Sequence, residues 1–103
     1  MHEPGTSSGS IAVTAGTQLI PLNANNTSDG ILLHIECTGG SSAGTIQVYD
    51  GTSTAGILLA QVAGVPAGTT QSHYFSNGVA FVNGLFVVVS GTGSVGLVHY
   101  KLN

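Results

Sequence analysis

The chain has 103 residues, only five fully charged side chains (Glu3, Asp29, Glu36, Asp50 and Lys101), no arginine and a formal net charge of −3. A chain of this length is one domain, able to bury roughly 60–70% of its unfolded surface, and its single cysteine, Cys37, excludes an internal disulfide. One lysine cannot neutralise several phosphates, which excludes nucleic acid as a partner, and no run approaches the roughly 18 consecutive apolar residues of a membrane span.

An ordinary soluble domain is about a quarter charged, whereas this chain is 5% charged and 42% apolar, with 22 Ser plus Thr residues. Such a surface is wetted by hydroxyls and amides or covered by partners. The expectation is an assembly component rather than a freely diffusing enzyme.

Residues 1–9 (MHEPGTSSG) are small, polar and aperiodic, with Pro4 and Gly5 opposing helix, and read as a flexible N-terminal arm. With neither a basic nor an apolar region, they do not read as a secretory signal, so synthesis in a cytosol is expected. Residues 10–103 read as one all-β domain, punctuated by Gly-rich turns about every ten residues. The predicted strands are 10–15, 18–22, 31–38, 45–50, 57–62, 70–76, 79–82, 85–90 and 95–102. No segment holds a helical period.

Within 31–37 strict alternation puts Ile31, Leu33, Ile35 and Cys37 on one face and Leu32, His34 and Glu36 on the other. Ile46 and Val48 alternate with Thr45, Gln47 and Tyr49. The run Leu85-Phe86-Val87-Val88-Val89 is apolar on both faces, as in a central strand. Cover for its outer face is expected from another subunit or a particle surface. Asn77-Gly78 and Asn83-Gly84 have the chemistry of tight hairpin turns, and Asp50-Gly51 plays the same part after Tyr49. Ala-Gly-Thr precedes three strands (Ala15–Thr17, Ala43–Thr45 and Ala67–Thr69) at unequal spacing, which is reused turn chemistry rather than a repeat.

Two motifs imitate catalytic signatures. Gly40-Ser41-Ser42-Ala43-Gly44 matches G-x-S-x-G, but a nucleophile elbow needs a helix after the serine, and here a strand follows. Gly91-x-Gly93-x-x-Gly96 matches a dinucleotide fingerprint, which also needs a helix N-terminus. It reads instead as a hairpin turn between the last two strands. His34, Glu36 and His99 form the one plausible metal-ligand set, provided the last strand lies beside 31–38. Histidine and glutamate on a polar strand face are also ordinary, and neither metal nor cofactor is assigned. Tyr49, Tyr74 and Tyr100 could stack a sugar if strand order brought them to one sheet. Together with Phe86 they are otherwise read as interface residues, because tyrosine joins apolar area to a polar tip.

Two longer segments carry a resemblance. Tyr49-Asp50-Gly51-Thr52-Ser53-Thr54-Ala55-Gly56-Ile57-Leu58-Leu59 has the form strand, Asp-Gly-Thr-Ser, small residues, Gly, strand. Gly78-Val79-Ala80-Phe81-Val82-Asn83-Gly84-Leu85-Phe86-Val87-Val88 is followed by Ser90-Gly91-Thr92-Gly93. Over roughly residues 30–103 the chain resembles the small β-sandwich virion proteins of tailed bacteriophages, of the capsid decoration or cement type. The resemblance implies a small antiparallel, jelly-roll-like β-sandwich with no enzymatic activity. It implies a homo-oligomer, dimer or trimer, made in the bacterial host cytoplasm and placed on the outer surface of the capsid. The arm, with His2, Glu3, Pro4 and Gly5, would reach the major capsid protein. A tail or fibre module recognising a surface glycan or receptor is the alternative.

Overall fold

The computed structural model describes residues 7–14, 16–19 and 29–102. Eight strands follow one another, and no helix occurs among the described residues: β1 (Ser7–Thr14), β2 (Gly16–Leu19), β3 (Gly30–Thr38), β4 (Gly44–Asp50), β5 (Ile57–Val65), β6 (Thr70–Phe81), β7 (Leu85–Ser90) and β8 (Val95–Leu102). They form two four-stranded sheets, β1-β8-β3-β6 and β2-β7-β4-β5. Every strand pairing is antiparallel. This strand order is that of an eight-stranded jelly roll, in which two Greek keys close a sandwich. The expected all-β sandwich is the observed fold.

The alternation of apolar residues explains why the sheets face one another. In β4, Ile46 and Val48 are buried while Thr45, Gln47 and Tyr49 are half-buried; in β7, Leu85, Val87 and Val89 are buried while Phe86 and Val88 are half-buried. Leu32, Ile35 and Cys37 of β3, Val65 of β5, Phe81 of β6 and Val98 of β8 complete the core. Each such side chain contributes about 1.5–3 kcal/mol by leaving water. Gly96 of β8 sits where the sheets approach closely: a Cβ there would stand 2.7 Å from both Ile46 Cδ1 and Val89 Cγ2. β7 is a central strand, as its two-faced apolar run predicts.

Local chemistry misleads in four places. In β3, Leu32 pairs with Tyr100 and His34 with His99, which leaves Leu33 as an extra residue against β8. This bulge shifts the phase, so Leu32 joins Ile35 and Cys37 in the core, and the strict alternation over 31–37 fails. Asn77-Gly78 is not a hairpin turn, because β6 runs through it and merges the two strands predicted at 70–76 and 79–82. On β6, Phe75 to Gly78 stand opposite Leu33 alone, since Leu32 pairs with Val79 and His34 with Tyr74. Gly78 takes φ 73° in this bulge, where an L side chain is strained. Finally, Asn83-Gly84 and the segment around Gly91 and Gly93 are not hairpins either. Each carries the chain from one sheet to the other. Asp50-Gly51 does open a hairpin, between β4 and β5.

β1 begins at Ser7, so residues 7–9, assigned above to the arm, pair with β8. Residues 1–6 of that arm lie outside the described residues. Ser7 and Leu102 pair where Gly30 meets both Leu102 and Phe81, so β1 starts at the end of the sandwich where β8 finishes.

Candidate functional site

The two catalytic look-alike motifs meet in space, and their polar groups are occupied with one another. Ser41 N–H donates to the Thr92 carbonyl at 3.0 Å, and Thr92 N–H donates to Ser42 Oγ at 2.9 Å. Ser94 Oγ accepts from Gly40 N–H at 3.2 Å. The β3–β4 and β7–β8 connections thus hold one end of the sandwich closed. Serine here supplies short hydrogen-bonding arms to backbone, the usual work of Ser in turns.

The opposite end has an equivalent latch, built from the two segments that carry the resemblance. Asp50 closes β4, and its carboxylate accepts Asn83 N–H at 2.8 Å on Oδ1 and Val82 N–H at 3.2 Å on both oxygens. Gly51 N–H donates to the Gly84 carbonyl at 3.0 Å. The Asp-Gly and Asn-Gly signatures are therefore halves of one device that pins the β6–β7 crossover. A shallow depression beside it is lined by Asp50, Gly51, Ser53, Gly56 and Asn83 among others. Its one acid already serves the backbone.

The plausible metal-ligand set, to which no metal is assigned, is half assembled. β3 does lie beside β8, and His34 stands opposite His99. Among the described residues, however, no three His, Cys, Asp or Glu side chains are placed to hold a metal ion. His34 is buried and stacks on Tyr74, with ring centroids 3.9 Å apart and planes 6° from parallel. Its Nε2 has no hydrogen-bond partner. Cys37 is fully buried, and desolvation pushes its thiol pKa above the ordinary value.

The tyrosines do not converge. Tyr74 is 74% exposed on the outer side of the first sheet, Tyr100 packs against the core, and Tyr49 belongs to the second sheet. A single sugar-stacking platform of all three is therefore overturned by strand order. What does converge is Tyr49 with Phe86: they are paired across β4 and β7, and Tyr49 is also paired with Leu58 of β5. Leu58 is 45% exposed and its neighbour Ile57 is 73% exposed. Beside this row a polar ladder runs along the same outer face. Tyr49 Oη donates to Gln47 Oε1 at 3.2 Å, and Gln47 Nε2 donates to Gln61 Oε1 at 2.7 Å.

Among the strands of this second sheet the one charged side chain is Asp50, held at the crossover, whereas Glu36 and Lys101 belong to the first sheet. Leu58 is the contributor that the sequence reading did not single out. In the sequence it is one of several apolar residues in a strand. Its exposure follows from a register shift between Val48 and Tyr49, where Leu59 is the extra residue of β5. His2, Glu3, Pro4 and Gly5 lie outside the described residues.

No protein-family model matches the chain, and no curated protein matches it. Similarity emerges at the level of structure. The fold resembles a solved structure of Bacillus endospore appendages, described as a novel family of disulfide-linked pili, at TM-score 0.56 and 14% identity, covering 93% of this chain and 82% of that one. A weaker likeness is to PirA (TM-score 0.45, 17% identity, 96% of each chain). A third is to infectious bursal disease virus, Gx strain (TM-score 0.35, 16% identity, 94% of this chain and 30% of that one). At these identities the first likeness supports the sandwich fold, and the other two carry no argument.

Proposed function

We propose that the chain is a non-enzymatic structural subunit of a virion, a capsid decoration protein that binds and stabilises the major coat lattice as a homo-oligomer. The observation that carries this reading is the charge-poor outer face of the β2-β7-β4-β5 sheet. Aromatic residues set beside amides, without charge in these strands other than Asp50 at the crossover, have the composition of a protein contact. A contact without ion pairs is also insensitive to salt, which suits a surface open to the medium. The serines of the catalytic look-alike motifs, and Asp50, are consumed in holding the two ends of the sandwich. The arm, with His2, Glu3, Pro4 and Gly5, would add contact area on neighbouring coat subunits, at the entropic cost of ordering it.

The fold likeness to an endospore appendage subunit favours a second structural reading, a building block of a filament. That protein's pili are disulfide-linked. This chain has one cysteine, and Cys37 is fully buried, so copies of it would associate without such a link. Antibody-gold labelling of particles and filaments released by the source separates the readings. Label over the head surface supports decoration, label along filaments supports the appendage reading, and label on neither overturns both.

A further inference from the structure

We infer that β1 is a self-pairing edge: two copies of this chain join antiparallel through β1 about a two-fold axis, making a continuous eight-stranded sheet β6-β3-β8-β1-β1-β8-β3-β6. Its basis is how the sandwich treats its edges, independent of the virion reading. A sheet edge offers a row of backbone donors and acceptors, and natural proteins guard it with charge, proline, bulges or brevity. Among the described strands, the four at sheet edges are β1, β2, β5 and β6. None contains Asp, Glu, Lys, Arg or Pro, and the charged residues found in strands, Glu36, Asp50 and Lys101, all belong to inner strands.

Without charge, the other guards must suffice, and two edges have one. β5 carries two register shifts, between Gly44/Ile46 and Val48/Tyr49 of its partner. β6 carries the bulge in which Phe75 to Gly78 stand against Leu33. β2 offers four described residues, half the run of β1. β1 has none of these: its eight residues pair with β8 from Ser7↔Leu102 to Thr14↔Val95 without a shift.

A second copy is the occupant that the geometry favours, because an antiparallel strand is complementary to itself about a two-fold axis and the contact closes after two subunits. Residues brought opposite one another must share a sheet face and a hydrogen-bonding phase, which alternates with period two. The axis therefore passes beside Ser10 or beside Ile11, pairing residues 7–13 or 8–14 with their own copy. With no charge in the strand, like-charge repulsion does not oppose either register.

Sedimentation of the purified chain, combined with single cysteines in a Cys37→Ser background, tests the inference without any particle. Ser10→Cys or Ile11→Cys places a thiol beside its symmetry mate, within the Cα separation a disulfide requires. The expected result is a dimer in sedimentation and a disulfide dimer on mild oxidation for one of these two variants. Ser72→Cys, on the edge strand β6, should remain uncrosslinked. Circular dichroism confirms that each variant is folded. If Ser10→Cys or Ile11→Cys misfolds, Ala12→Lys takes its place and should convert the dimer to monomer. A chain that stays monomeric at its highest soluble concentration, or that crosslinks through position 72 and not through 10 or 11, overturns it.

Discussion

Replacing Asp50 by alanine removes the acceptor that ties the end of β4 to the β6–β7 crossover. The carboxylate takes two backbone donors, Asn83 N–H at 2.8 Å and Val82 N–H at 3.2 Å. A hydrogen bond to a charged group is worth about 1.5–3 kcal/mol net. Both are exposed to solvent, which brings each down to about 1–1.5 kcal/mol, so the two together come to about 2–3 kcal/mol. At roughly 2.1 cal/mol/K of unfolding entropy per residue, a chain of 103 residues should lose about 9–14 °C in Tm. Asp50→Asn retains one carbonyl oxygen for Asn83 and should lose about half as much. Calorimetry with urea titration reads both variants. A shift below about 2 °C for Asp50→Ala, or equal losses for the two variants, would refute the claim that this carboxylate acts by capping the crossover.

Three further outcomes follow from the packing. Gly96→Ala should cost about 1–3 kcal/mol by overpacking, and Ile46→Val, which removes the Cδ1 atom that the new methyl meets, should restore part of it in urea melts of the double variant. Cys37 should resist thiol reagents until the protein unfolds. Because its pKa is raised in the folded state, its contribution is fully present at low pH and is lost as pH climbs past the unfolded thiol's value of about 8.5. A flat alkaline stability profile that Cys37→Ala leaves unchanged would contradict this. Leu58→Glu sits at an exposed position, so Tm should move by less than about 0.5 kcal/mol equivalent. Its occupancy on particles, read by gel densitometry, should fall at least tenfold; normal occupancy would remove the second sheet's outer face from the contact.

The strands and the sandwich were legible because each rests on a local pattern, alternation between Gly-rich turns. Topology was less so. Asp50-Gly51 and Asn83-Gly84 have the same turn chemistry, yet one opens a hairpin and the other crosses between sheets. The difference depends on which strand is waiting for the next segment, which no short window contains. The β3 phase was lost for a related reason. Residues 31–33 are all apolar, so either alternation fits, and the bulge at Leu33 is fixed only by pairing with β8.

The candidate site divides in the same way. Phe86 was legible as the outward member of a two-faced apolar run, and Tyr49 as its polar-tipped companion. That the two lie opposite one another, while Tyr74 and Tyr100 lie on the other sheet, is a matter of strand order. The capping role of Asp50 was invisible because its donors come from residues 32 and 33 positions later.

The most direct test of the proposed decoration role is quantitative mass spectrometry of density-purified particles from a lysate of the source, counting copies of this chain against copies of the major coat protein. The account predicts a ratio near one, or a simple fraction of it set by the oligomer. Absence of the chain from the particles would contradict it.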